Sequence, residues 1–137
     1  MTTLLEHKEA IGEVTDLLSP REMYAEAQAK LVTPDIHFEV YAPDGSVMVE
    51  LDGRDKLIEV FKEAISPIKT AYHLNGQQLI TVNGDTATNI HYGKAILVQE
   101  IDGTEMVIDR SYRYSDTLIL VDGTWLIKRR EQYLVLS

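Results

Sequence analysis

The sequence contains no cysteine, so disulfides, thiolate metal ligands and a cysteine nucleophile are all excluded. It also has no apolar run long enough to cross a bilayer. Its first residues lack the basic-then-apolar pattern of a secretion signal. We therefore expect a cytoplasmic protein with no membrane partner.

Basic residues are scarce. Thirteen lysines and arginines stand against 22 aspartates and glutamates, which leaves a net charge of −9. Nucleic-acid binding depends on basic side chains that neutralise phosphates, so no nucleic-acid partner is expected. The sequence has no glycine-rich phosphate loop, and no two of its histidines have the spacing of helical metal ligands. We therefore expect no cofactor and no metal.

The 137 residues, of which 45% are hydrophobic and 26% charged, predict a single globular domain over residues 1–137. Apolar spacing predicts helices over residues 3–18, from the Ser19-Pro20-Arg21-Glu22 start signal to Leu31, and over Arg54 to Ile65. Strands are predicted over 36–41, 47–51, 70–82, 86–100, 105–121 and 124–136. This order indicates an α+β fold in which helices cover one face of a curved antiparallel sheet.

The last hairpin suggests a pocket. Asp122-Gly123 is a strong two-residue turn signal, and alternation then places ten opposed side chains on one face. The predicted pairs are Leu120 with Trp125, Leu118 with Ile127, Asp116 with Arg129, Tyr114 with Glu131 and Tyr112 with Tyr133. This face is apolar near the turn and polar further along, which is typical of a core that gives way to a lined cavity.

The other two turns extend the polar inner face. A turn at Asp102-Gly103 pairs His91 with Tyr114, Asn89 with Asp116 and Ala95 with Arg110. A turn at Asn83-Gly84 pairs Ile80 with Ala87, Gln78 with Asn89 and Gly76 with His91. Strict alternation leaves His73 outside, and one β-bulge at Gly76-Gln77 brings it inside. A similar bulge near Lys128 would place Arg130 inside instead of Arg129.

Three groups of residues resemble the SnoaL-like branch of the nuclear-transport-factor-2-like superfamily. They are His73, Gln77, Ile80, Val82, Gly84, Asp85 and Ala87; Tyr114 and Asp116; and Trp125, Ile127 and Arg130. The resemblance implies a cone-shaped fold shared with polyketide cyclases, scytalone dehydratase, ketosteroid isomerase and limonene epoxide hydrolase. It aligns His73 and His91 with the paired pocket histidines of scytalone dehydratase. The acid that such enzymes carry at the end of the first helix has no clean counterpart, because Asp16 needs a gap and Tyr24 lies inside the second helix.

These residues suggest two kinds of function. The first is a cofactor-independent dehydratase, isomerase or cyclase acting on a compact hydroxy-ketone or polycyclic compound, with His73, His91, Tyr114 and Asp116 as catalytic residues. The predicted ligand-binding residues are Tyr24, His37, Tyr41, Asn89, Tyr112, Arg129 and Arg130. The alternative is a non-catalytic module that binds a hydrophobic ligand or only dimerises. In that case the histidines satisfy core hydrogen bonds, and Asp116 with its arginine holds two strands in register.

The outer face of the predicted sheet is also apolar. It carries Ile90, Tyr92, Ile96, Val98, Ile119, Val121, Leu126 and Leu134. Because one apolar face suffices to cover a core, a second one indicates a partner, and we expect a homodimer through this face with Arg113 and Lys128 at its rim. The competing possibility is that the N-terminal helix folds over this face within one chain.

Overall fold

The computed structural model of the protein describes residues 2–18 and 25–136. Its helices are α1 (Leu4–Leu17), α2 (Ala25–Gln28), which continues into a 3₁₀ turn (Ala29–Leu31), and α3 (Arg54–Ile65). Its strands are β1 (Val32–Tyr41), β2 (Val47–Asp52), β3 (Ile68–Asn83), β4 (Thr86–Ile101), β5 (Thr104–Val121) and β6 (Thr124–Leu136). The predicted start of the second helix at Ser19 lies outside the described residues.

The first helix begins with a capping box. The Thr3 hydroxyl accepts from the Glu6 amide at 3.1 Å, and the Glu6 carboxylate accepts from the Thr3 amide and hydroxyl. Ile11 and Thr15 form the buried side of this helix. Gly12 allows a close approach to the sheet, because a Cβ atom there would lie 2.5 Å from Oε1 of Gln78. The helix therefore packs on the inner face of the sheet.

The six strands form one curved, unclosed sheet in the order β2-β1-β6-β5-β4-β3. Strands β3 to β6 pair sequentially and antiparallel, as do β1 and β2, whereas β1 and β6 pair parallel. The sequence did not predict that parallel pair, since it joins two strands that are distant along the chain. The α+β class, with the helices on one face of a curved sheet, is confirmed.

The apolar core occupies the end of the inner face near the Asp122-Gly123 turn. Phe38 of β1 meets Phe61 of α3 edge to face, with 5.7 Å between ring centroids. Trp125 is buried, and its indole donates to Nδ1 of His7 at 3.1 Å, which ties α1 to β6. The buried members are Ile11, Leu18, Val32, Ile36, Phe38, Leu51, Leu57, Phe61, Ala87, Leu118, Trp125 and Ile127.

The β4–β5 register is as predicted, with Asn89 opposite Asp116 and His91 opposite Tyr114. The β3–β4 register differs, because the turn residues are Gly84 and Asp85 rather than Asn83 and Gly84. Gly84 has φ +64° at the first turn position, where glycine carries no steric cost. The predicted pairs are therefore wrong: Ile80 lies opposite Asn89, Gln78 opposite His91 and Val82 opposite Ala87.

Two register shifts decide which side chains face inward. The first lies between Asn75 and Gln78, where the bulge at Gly76-Gln77 was predicted. The second lies between Ile127 and Arg129 of β6, opposite Leu118 and Thr117. Because of the second shift, Arg130 rather than Arg129 faces Asp116.

The same shift changes the remaining pairs at the far end of the hairpin. Tyr114 lies opposite Gln132 rather than Glu131, and Tyr112 lies opposite Leu134 rather than Tyr133. Leu134, predicted on the outer face, is consequently buried on the inner one.

The outer face of the sheet is exposed and apolar over β3, β4 and parts of β5 and β6. Because α1 packs on the inner face, it does not cover the outer one within the described chain. The large exposed side chains on the outer face are Tyr72, Leu74, Leu79, Ile90, Tyr92, Val107, Val121 and Val135. We call this set the outer apolar patch.

We expect the protein to be a homodimer through the outer apolar patch. Leu79 is 66% exposed and lies opposite Ile90, so Leu79→Glu would place a charge within the contact and convert the dimer to a monomer. Leu5→Glu is the matched control, because Leu5 is 73% exposed on α1. Sedimentation would measure the mass, and a wild-type mass of 15.5 kDa at micromolar concentration would refute the dimer.

Candidate functional site

A buried ion pair joins β5 to β6 beside the core. Nε and Nη2 of Arg130 donate to Oδ1 and Oδ2 of Asp116, each at 2.8 Å, and both residues are 1% exposed. Burial opposes ionisation of Asp116, but the charge and hydrogen bonds of Arg130, with a hydrogen bond from His91, hold the pKa of this carboxyl below its usual value. Asp116 in turn raises the pKa of the Arg130 guanidinium against the effect of burial. The pair is therefore charged on both sides.

Arg130 also binds the end of α1. Nη2 donates to the carbonyl oxygen of Thr15 at 2.8 Å, and Nη1 donates to that of Leu18. The last carbonyls of a helix have no partner within the helix, and a cation near them is favoured by the helix dipole. One arginine thus fixes the position of α1 over the sheet. Asn89 adds a second link, since its amide donates to the Thr15 hydroxyl at 2.9 Å.

His91 is held by the same carboxylate. Its Nε2 lies 2.7 Å from Oδ2 of Asp116, and because a carboxylate only accepts, Nε2 carries the proton and Nδ1 is left as an acceptor when the ring is neutral. The His91 ring stacks on Tyr114, with 4.7 Å between centroids and 13° between planes. Gly93 makes room for that tyrosine, because a Cβ atom there would lie 3.0 Å from Cε2 of Tyr114.

A cavity of about 380 Å³ opens between the sheet and the end of α3. Its volume falls within the range of small-molecule sites. The polar residues along its wall are Glu63, His73, Gln99, Arg110, Tyr112, Tyr114 and Gln132. The apolar ones are Ala64, Ile65, Pro67, Ile68, Ala71, Ala95, Leu97 and Ile108.

His73 and Tyr114 lie where this cavity meets the buried polar cluster. Both line the cavity, and both also line a much smaller space together with Asp16, His91 and Arg130. Asp16 lies in the last turn of α1 and accepts from Nε2 of Gln78 at 2.5 Å. The site therefore combines two histidines, two carboxylates, a tyrosine and an arginine at one end of an apolar chamber.

Most residues predicted for the site are brought together on the inner face. His73, Tyr112 and Tyr114 line the cavity, and His91, Asp116, Asn89 and Arg130 form the buried cluster behind it. Tyr24 lies outside the described residues.

Three predicted ligand-binding residues lie elsewhere. His37 and Tyr41 are on the outer face, because β1 turns the alternate residues Ile36 and Phe38 into the core. Tyr41 stacks on Tyr133 with 5.0 Å between centroids. The bulge in β6 likewise turns Arg129 outward, where it donates to Glu39 at 2.8 Å and Glu131 at 3.1 Å.

The sequence analysis set Asp16 aside and overlooked Thr15 and Gln78 as its neighbours. Asp16 could have been found from its position, since it follows Thr15 on a helix whose buried residues are Ile11 and Thr15. Its connection to Gln78 depends on the packing of α1 against β3, and no local pattern in the sequence reports that contact.

One group in the described chain could hold a metal ion, and it lies on the outer face. Ligand atoms of His37, Glu39 and Glu50 lie within 4.8 Å of one another. However, both ring nitrogens of His37 already contact carboxylates, Asp52 at 2.7 Å and Glu39 at 2.5 Å. These contacts raise the pKa of His37, first through Asp52 and then through Glu39. The arrangement therefore favours a proton on the ring.

The curved sheet with its covering helix belongs to the cystatin-like or nuclear-transport-factor-2-like class of α+β folds. Within that class the chain belongs to the SnoaL-like domain family, which it matches over residues 21–131. No curated protein matches the sequence significantly. No helix in the described ranges is long and apolar enough to span a membrane.

Several solved structures share the fold. A provisionally assigned scytalone dehydratase from Novosphingobium aromaticivorans is 24% identical, with a TM-score of 0.73 over 96% of this chain and 86% of that one. A hexachlorocyclohexane dehydrochlorinase is 14% identical, with a TM-score of 0.77 over 96% and 87%. A provisionally assigned dehydratase from Streptomyces avermitilis is 16% identical, with a TM-score of 0.77 over 98% and 100%. At these identities the likeness establishes the fold alone.

The buried ion pair gives a stability prediction. Asp116→Asn leaves Arg130 buried without its counter-charge, so we expect the free energy of unfolding at neutral pH to fall by about 3–5 kcal/mol. Because the pKa of Asp116 is lowered in the folded state, the wild type should keep this contribution above pH 3.8 and lose it below. Urea unfolding measures both effects. The control is Asp109→Asn, an exposed carboxylate on the same strand, and equal losses in the two variants would contradict the prediction.

The His37 cluster gives a pH prediction of opposite sign. Because Asp52 and Glu39 raise the pKa of His37, its contribution to stability is fully present below pH 6.5 and is lost as pH rises through the folded-state value. The stability difference between wild type and His37→Gln should therefore shrink between pH 6 and pH 9. A difference that does not change over this range would show that the ring does not titrate.

Proposed function

We propose that the protein is a small-molecule lyase or isomerase that needs no cofactor and moves a proton on a compact, partly apolar hydroxy-ketone or cyclic substrate. The observation that carries the proposal is the position of His73 and Tyr114. They line the wall of an apolar cavity on one side and a space shared with the buried carboxylates and His91 on the other. Ionisable groups at the end of an apolar chamber are the usual arrangement for acid–base chemistry.

In this proposal each residue has a distinct role. His73 is the base that takes a proton from the carbon next to a substrate carbonyl. Tyr114 and His91 hold or polarise the substrate oxygen on which negative charge develops. Asp116 and Arg130 orient His91 through the 2.7 Å contact of its ring with the carboxylate. Asp16, in the same small space as His73, adds a carboxylate that can orient that imidazole.

The proton then decides the outcome. For a hydroxy-ketone, loss of the proton from carbon forms the double bond as the neighbouring hydroxyl leaves, and a general acid protonates it to water. For an isomerisation, the same proton returns to another carbon of the dienolate. The dehydratase and dehydrochlorinase neighbours carry related eliminations on the same fold, which supports this class of reaction by analogy only.

A second function fits the composition of the cavity wall. Apolar residues form more than half of the lining, and this would suit a protein that binds a hydrophobic ligand without changing it. In that case the polar cluster fixes the fold and the orientation of the ligand. The two functions differ in whether His73 is needed for turnover or only for shape.

We expect His73→Ala to lower turnover at least about 100-fold while leaving the fold intact. The half-buried His73 lies at the cavity wall, so its loss should cost little stability. The assay follows elimination of cyclic β-hydroxy-ketones by enone absorbance, and uptake of solvent deuterium by cyclic ketones by mass spectrometry.

Two further variants sharpen the test. His37→Ala removes a histidine from the outer face and should leave turnover unchanged. Tyr114→Phe keeps the ring stacked on His91 but removes the hydroxyl, and should lower turnover less than His73→Ala. If the ketones bind but neither reaction depends on His73, the non-catalytic function is the correct one.

A further inference from the structure

Arg110 stands apart from the other arginines of the described chain. Arg130 pairs with Asp116, Arg129 with Glu39 and Glu131, Arg113 lies over the Tyr133 ring, and Arg54 donates to a backbone carbonyl. Within residues 2–18 and 25–136, Arg110 alone has no ion pair, hydrogen bond or ring contact. Its side chain is half-buried on the cavity wall. In a chain with 22 acidic residues against 13 basic ones, a cation without a partner inside a cavity calls for an explanation.

The sheet places Arg110 on the same ladder as His73. His73 pairs with Ala95 on β4, and Ala95 pairs with Arg110 on β5. The two backbone positions are therefore separated by two strand spacings, roughly 10 Å. The small Ala95 between them leaves a space on the wall, because no large side chain rises from the central strand. A ligand lying across Ala95 can reach both groups at once.

The rest of the cavity favours an apolar ligand body with a single anionic group. Ala71, Leu97 and Ile108 line the wall around this ladder. Gln99 and Gln132 are neutral, and the exposed Glu63 lines the same cavity, adding one negative charge. With one arginine and one carboxylate on the wall, the site suits a monoanion better than a dianion such as a phosphate monoester.

We propose that the substrate is a compact apolar carboxylate and that Arg110 binds its carboxylate group. The planar guanidinium donates two parallel hydrogen bonds to a carboxylate, which a lysine could not do. Binding at Arg110 holds the ligand across Ala95 with its far end toward His73. This inference rests on the proposed function for the role of His73, but carboxylate binding can be measured without turnover.

The test compares carboxylates with their own amides. Benzoate, cinnamate and naphthoate, each with the matching primary amide, are titrated into the full chain and followed by calorimetry at neutral pH and low salt. We expect at least one carboxylate to bind about 10- to 100-fold more tightly than its amide. Naphthyl phosphate serves as the dianion. If no carboxylate exceeds its amide, or if the phosphate binds more tightly than naphthoate, the inference is wrong.

Variants locate the interaction. Arg110→Met should abolish the preference for the carboxylate, and Arg110→Lys should retain only part of it. Arg113→Met is the matched control, because it removes the same charge from the outer face of the same strand and should keep the preference. Thermal unfolding confirms that each variant is folded, and the wild-type comparison stands without them. An unchanged preference in a folded Arg110→Met variant overturns the assignment.

The two proposals fail separately. His73→Ala should keep the carboxylate preference while losing turnover. If carboxylates bind through Arg110 but no proton transfer depends on His73, the ligand assignment stands and the catalytic function falls. If uncharged ketones turn over through His73 and Arg110→Met changes neither binding nor turnover, the catalytic function stands and the carboxylate assignment falls.

Discussion

The ion pair between Asp116 and Arg130 is the constraint on which the rest of the site depends. Arg130 divides its donors between a carboxylate on β5 and two carbonyls at the end of α1, so one side chain connects two strands and a helix. The second oxygen of Asp116 also accepts from His91, which stacks on Tyr114. A change at this pair would therefore move the helix that carries Asp16 and the two rings that border the cavity.

The fold was largely predictable because turns and alternation act locally. The Arg54–Ile65 helix and the Asp122-Gly123 turn were located from a few residues each. The error at the β3–β4 turn was mild, because displacing both turn residues by one position shifts partners by two residues and leaves every side chain on its predicted face. A bulge is different, since one extra residue reverses the faces beyond it. This is why Arg129 was wrongly placed inside while Asp116, before the bulge along its own strand, was placed correctly.

The candidate site was only partly predictable for a related reason. His91, Tyr114 and Asp116 lie on one β4–β5 ladder, so their proximity follows from a single turn. Asp16 and Gln78 meet because a helix folds back across the sheet, and a sequence separation of 62 residues gives no local signal of that contact. Arg110 was paired correctly with Ala95, yet its lack of a partner could be known only from the surroundings of its side chain. Pairing arithmetic gives neighbours on a sheet, whereas a vacancy on a cavity wall is a property of the whole fold.

The position of the ion pair argues that it serves more than stability. One step along the inner face from it lies the pair Leu118 and Ile127, both fully buried in the apolar core. Apolar residues could have continued the core through the next pair, because replacing a buried ion pair by well-packed hydrophobic residues is often neutral or stabilising. The inner face instead changes from apolar to charged between two adjacent pairs. Beyond that change lie His91, Tyr114 and the cavity, so the charged pair stands where an oriented imidazole is needed and where a purely apolar core could not supply one.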